Sequence, residues 1–179
     1  PKTDDLAGLG VSDIIIDPNN TNIIYMATGD EDAQHISSIG VYKSIDAGEN
    51  WSVTGLSFSL NENEYIRDLS FAPGSSTTIF ALTNNKIKKS TDSGNTWSNM
   101  ITDPVNSDDY HFQTIIFDPN DSNKVVVSDV FGGIWYSTDG GNNFGEHLEL
   151  FGNSENKLKL TTTANDNDHF YGITAEIRD

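Results

Sequence analysis

Carboxylates dominate the residues that could do chemistry in this chain of 179 residues. Asp30, Glu31 and Asp32 follow directly on an apolar run, in the segment Gly29-Asp30-Glu31-Asp32-Ala33-Gln34-His35-Ile36-Ser37-Ser38. Further acids gather in 61–65, 103–111 and 153–155. Oxygen-rich clusters of this kind suit two tasks. A hard cation such as Ca²⁺ takes about six to eight oxygen ligands, and cleavage of a glycosidic bond uses two carboxyl groups roughly 5 to 9.5 Å apart. Tyr65 and Tyr110 lie in two of these segments and offer rings on which a sugar could stack. An ordinary solvated acidic face would have the same composition. Other chemistries find little support. There is no cysteine, which removes disulfides, thiol nucleophiles and Cys-ligated zinc, and disfavours a eukaryotic secreted module. His35, His111, His147 and His169 are spread without metal-ligand spacing, and no Ser/His/Asp set follows from spacing.

The formal net charge is −17, and hydrophobic residues make up 35% of the chain. A surface this negative repels phosphate backbones and anionic headgroups, so nucleic acid and membrane are poor partners. Cations or a basic partner remain open. No apolar run approaches the roughly 20 residues needed to cross a bilayer. The chain starts at Pro1 without a basic-then-apolar leader, which reads as a processed chain or one cut from something longer.

The elements that must position the acids emerge from an internal repeat. Ser44-Ile45-Asp46-Ala47-Gly48-Glu49-Asn50-Trp51 recurs as Ser90-Thr91-Asp92-Ser93-Gly94-Asn95-Thr96-Trp97 and as Ser137-Thr138-Asp139-Gly140-Gly141-Asn142-Asn143-Phe144. Asp46, Asp92 and Asp139 are therefore 46 and 47 residues apart. Upstream of each copy stand three short apolar runs with β-branched and aromatic residues, punctuated by Pro, Asn and Gly: strands, not helices. With a fourth strand after each copy, this is the period of a propeller blade. The sequence predicts an all-β propeller of antiparallel four-stranded blades at about 11–56, 65–102 and 111–151. A partial blade at about 157–179 makes the visible ring incomplete. The remainder of its own propeller is then its first partner.

The repeat resembles the Asp-box (BNR) motif of sialidases, sortilin-type propellers and xyloglucan-hydrolysing endoglucanases. Phe144 departs from its final Trp but keeps an apolar ring. In a hairpin, each aspartate can accept backbone N–H groups of its own turn, Gly48, Gly94 and Gly141 can supply φ > 0, and the rings of Trp51, Trp97 and Phe144 are expected to be buried. The resemblance implies that these residues are structural and that a ligand site lies on the opposite face.

Blade topology agrees. The boxes share a face with the first-to-second turns, whereas second-to-third loops and blade connections share the other. On that second face, Tyr25 to Ser44 takes 19 residues, against 10 from Phe80 to Ser90 and 11 from Val126 to Ser137. The surplus is the acidic segment of Asp30, Glu31 and Asp32, the sort of decoration that carries function on a repeat scaffold. The first blade also looks like those of large secreted or cell-surface Bacteroidetes proteins that carry a type IX secretion sorting domain. The expectation is a binding or adhesion scaffold for a glycan or protein partner, with no assigned catalytic residue and no cofactor unless Ca²⁺. The alternative is a glycoside hydrolase of xyloglucanase-like or sialidase-like type, in which Asp30 or Asp32 lies near an acidic position of the xyloglucanase family. A sialidase's arginine triad has only Arg67 and Arg178 to draw on.

Overall fold

The computed structural model describes residues 10–30, 36–100, 111–145, 148–149, 156–163 and 166–176. The first sheet holds β1 (Val11–Ile16), β2 (Ile24–Thr28), β3 (Gly40–Ser44) and β4 (Ser52–Ser57). A second holds β5 (Ile66–Phe71), β6 (Ile79–Thr83), β7 (Ile87–Ser90) and β8 (Ser98–Asn99). A third holds β9 (Phe112–Asp118), β10 (Asp121–Asp129), β11 (Gly133–Ser137) and β12 (Leu148–Glu149), and β13 (Asn156–Thr163) pairs with β14 (Asp166–Glu176). Every sheet is an antiparallel meander in chain order. The first strands β1, β5, β9 and β13 stand beside one another in succession. These are blades of a β-propeller, and the fold is all-β, with a short 3₁₀ turn at Leu60–Glu62 among the described residues.

Burial explains why the second strands read as unbroken apolar runs. All of β6 is buried, and so is β2 from Tyr25 onward. Side chains alternate across a strand, so each face of β6 serves a different neighbour. Ile79 and Ala81 join Tyr25, Ala27, Val41, Leu56, Ile66 and Leu69 in one core between the first two blades. Phe80 and Leu82 join Ile87, Phe112, Ile115, Phe117, Val125, Val127 and Trp135 in the next. The core is a series of layers between blades.

The three repeats fold as one turn. The serine hydroxyls of Ser44, Ser90 and Ser137 accept the N–H of Gly48, Gly94 and Gly141 at 2.8, 2.9 and 2.9 Å. Each also donates to its aspartate Oδ1 at 2.8 Å. That Oδ1 accepts the backbone N–H of Asn50, Thr96 or Asn143, and Oδ2 accepts the same residue's side chain at 2.7 Å. The side chain and N–H of Asn50 hold the Asp46 carboxyl below its ordinary value. The N–H and hydroxyl of Thr96 bring Asp92 down to about 2, and the amide and N–H of Asn143 do the same for Asp139. Gly48, Gly94 and Gly141 have φ of 87°, 83° and 72°. One expectation is corrected. Trp51, Trp97 and Phe144 are only half-buried, because both indoles fold over their own turns and donate to the carbonyls of Gly48 and Gly94. The fully buried rings are Tyr25, Phe80, Phe112 and Trp135, on strands between blades or at their entry.

Two carboxylates stitch the inner strands. Asp13 on β1 accepts the N–H of Leu69 on β5 at 2.7 Å, and Asp68 on β5 accepts the N–H of Ile115 on β9 at 2.9 Å. A register shift precedes each aspartate and turns it toward the next blade. Removal from water raises Asp68 to about 7, against the hydrogen bond from Ile115, and the neighbouring Asp13 charge adds to the rise.

Two predictions follow from this architecture. Phe80→Ala should cost about 3–5 kcal/mol in urea unfolding, and Trp51→Ala clearly less; equal losses would contradict the layered core. The turn aspartates contribute stability above the ordinary carboxyl value of 3.8, and it is lost as pH falls toward about 2. Asp68 acts oppositely, since the folded chain holds a proton that the unfolded chain releases, so stability declines as pH rises from 3.8 to about 7. Thermal unfolding should be most resistant in mildly acidic solution, and Asp68→Asn should flatten the decline toward neutrality. An unchanged slope in that variant would remove Asp68 as its cause.

Candidate loop-face site

The long loop of the first blade is built from its root upward. Thr28, the last residue of β2, is buried; its hydroxyl donates to the Gly40 carbonyl at 2.7 Å and accepts the Ile39 N–H at 3.0 Å. Ser38, also buried, lies 3.2 Å from that hydroxyl and accepts the Gly40 N–H. Gly29 and Gly40 have φ of 96° and 116°, and a Cβ on Gly29 would stand 2.8 Å from the Ser38 nitrogen. Only glycine fits both bends. The root is thus rigid and fully hydrogen-bonded.

Asp30 sits immediately above this root. Its backbone exchanges two hydrogen bonds of 2.8 Å with Ile36, pinching the loop at its base, and its side chain is half-buried. Glu31 and Asp32 lie outside the described residues. The loop closes against the connection between the first two blades, where the Ser38 N–H donates to the Glu64 carbonyl at 2.7 Å. Tyr65, next in the chain, is half-buried, and its N–H donates to Asn84 Oδ1 at 3.1 Å. Asp30 and Tyr65 therefore share one face, on a frame that runs through Ser38 and Glu64. Tyr110 is outside the described residues, as are Asp103, Asp108, Asp109 and Glu155. Among the described residues, no three His, Asp or Glu side chains converge as cation ligands.

The boxes occupy the other face. The N–H groups of Ala47, Ser93 and Gly140 donate at 2.9 Å to the carbonyls of Asn22 and Thr77, in first-to-second turns, and of Asn123, at the start of β10. Sequence reasoning missed one feature of the loop face. Arg67 donates through Nη1 to the Phe112 carbonyl, with Nη2 3.2 Å from His111 Nδ1, and the His111 ring stands edge-on to Phe131. This guanidinium ties β5 to β9. Its signal in the sequence is one arginine at the strand position beside Asp68, which spacing alone does not distinguish from a surface residue.

No family model matches the chain. A probable oligoxyloglucan-reducing end-specific xyloglucanase of Neosartorya fischeri is 28% identical over 145 residues, 76% of this chain and 17% of that protein. The xyloglucanase Xgh74A of Acetivibrio thermocellus is 31% identical over 141 residues, 75% of this chain and 16% of that protein. The chain thus spans only a small part of the curated relatives it matches. An ancestral GH74 enzyme of known structure superposes with a TM-score of 0.73 at 23% identity, covering 93% of this chain and 22% of its own. That likeness is one of fold. The chain is a β-propeller segment, similar in sequence to xyloglucanases over three quarters of its length.

Proposed function

We propose that this chain belongs to a propeller that hydrolyses a neutral β-glucan of the xyloglucan type, with Asp30 as one of its two working carboxyl groups. The observation that carries the reading is the placement of Asp30. It stands at the end of β2, on the face opposite the boxes, on a root that fixes its backbone, in a chain whose curated relatives are xyloglucanases. This favours the hydrolase over the adhesion scaffold that the sequence alone suggested. Glycoside hydrolysis needs a second carboxyl roughly 5 to 9.5 Å from the first, nearer for retention and farther for inversion. On this reading that group comes from a blade across the ring. Tyr65 offers a stacking surface, and Tyr110, Glu31 and Asp32 are the further residues the reading would assign to ligand contact. A neutral polymer suits a chain of net charge −17, which would repel an anionic one. The three turns are read as Asp-box repeats, and the protein as secreted or held at a bacterial cell surface.

The test is reducing-end release from xyloglucan by the full-length protein, with binding measured alongside. Asp30→Asn should lower kcat by about 10²–10⁴-fold, as loss of a general acid or base does, with KM nearly unchanged. Binding without release would restore the scaffold reading, and undiminished release by Asp30→Asn would remove that residue from the chemistry.

A further inference from the structure

A concavity of about 460 Å³ opens between the first two blades, lined by Leu56, Phe58, Glu64, Lys86, Lys88 and Trp97 among others. That volume falls within the range of small-ligand sites, about 300–1,000 Å³. Its walls come from the outer strand β4, from the connection carrying Glu64, from the turn into β7, and from the ring of the second box. The Gly55 N–H on β4 donates to the Gly94 carbonyl at 2.8 Å, which fixes the width between the blades.

One oxygen of the Glu64 carboxylate, Oε2, lies buried behind the cavity wall without a hydrogen bond, although the backbone carbonyl of the same residue is engaged by Ser38. An unsatisfied buried carboxylate oxygen is costly, and few are retained without use. Glu62, by contrast, is spent on its own turn, accepting the Ser59 N–H at 2.7 Å. Lys88 is held below its ordinary value by burial first and then by the charge of Lys86, with Glu64 opposing. The two ammonium groups and two carboxylates make this spot charge-balanced within a chain of net charge −17.

We propose that this cavity is an accessory sugar-binding site, separate from Asp30, that takes one neutral pyranose unit of a polysaccharide. A pyranose has an apolar C–H face and a rim of hydroxyls that both donate and accept. Trp97 and Phe58 supply apolar ring surface, the Glu64 carboxylate lining the wall is the acceptor, and Lys86 and Lys88 supply donors. Charge balance selects a neutral ligand over an anion or a cation. The choice of a β-glucan rests on the hydrolase reading above; the preference for a sugar rests on the lining alone. The cavity lies along the outer strands β4 and β7, between the blade connection at Glu64 and the ring of the second repeat.

The test is calorimetric titration of full-length Asp30→Asn protein with cellotetraose, where turnover is suppressed. Two classes of site are expected. Adding Glu64→Leu or Lys88→Ala should weaken one class by roughly ten-fold or more, as loss of a charged hydrogen-bond partner does. Ser57→Phe, an exposed position at the mouth, should block the same class without touching a buried group. If none of the three alters the isotherm, the cavity is not a sugar site. If inorganic phosphate or free lysine binds there while cellotetraose does not, the ligand class is wrong. Retention of the cavity class in a protein that releases no reducing ends would leave this inference standing while the hydrolase reading falls.

Discussion

The grip of one blade on the box turn of the next is the contact on which the rest depends. Lys89 at the end of β7 reaches across to donate to the Gly140 carbonyl and to Asn142 Oδ1, both at 2.7 Å. Its ammonium also stands 5.2 Å from the centre of the Phe80 ring. One blade earlier, Tyr25 donates its hydroxyl to the Ser93 carbonyl at 2.9 Å, and Lys43 lies over the Tyr25 ring with its ammonium 3.4 Å from the same carbonyl. The lysine and the ring thus sit at matching places in successive blades. Hydrophobic burial between two flat sheets is non-directional and sets no stacking angle. A carbonyl held by an ammonium does. The glycine of the turn belongs to this device as much as to its own φ: a Cβ on Gly141 would stand 2.6 Å from the Phe80 ring.

With the repeat turns carrying this contact on one face, the other face joins blades at fewer places, through Arg67 and through Ser38 and Glu64, and its loops differ in length from blade to blade. Thr28 and Ser38 close the root of the longest loop with side-chain hydroxyls, so its tip can change without disturbing β2 or β3. Function on repeat scaffolds settles on such loops because the scaffold tolerates change there.

The blade order and the identity of the turn aspartates were legible in the sequence because they are local. Ser, Asp and Gly within five residues satisfy one another inside a single hairpin, so spacing alone reveals them. The depth of the box rings was not legible. Their indole N–H groups bond to the preceding turn glycines and hold the rings at the margin. Lys43 and Lys89, which precede the turn serines, carry no local pattern that marks them as interblade donors. Asp13, Asp68 and the lining of the accessory cavity were equally invisible. Each acts on a partner some 25 to 60 positions away in sequence, and those partners meet only once blades stack. Of the loop-face candidates, Asp30 and Tyr65 could be placed on a common frame because main-chain bonds define it. Where their side chains meet a ligand depends on loops whose geometry no local pattern dictates.

The charge balance connects these observations. Only 10 of the 179 residues are Lys or Arg. Lys43, Lys89 and Arg67 hold carbonyls between blades, and Lys86 and Lys88 line the interblade cavity. The scarce cations are concentrated where oxygen atoms must be gathered between sheets, so little positive charge is left to offset the acids of the outer loops. Half of the ten, Lys43, Arg67, Lys86, Lys88 and Lys89, are committed to interblade contacts or to that cavity, in a chain with 27 Asp and Glu. Under the function proposed above, a chain with this excess of acid repels anionic polymers and leaves hydroxyl-rich neutral ones to be selected by ring stacking and single hydrogen bonds.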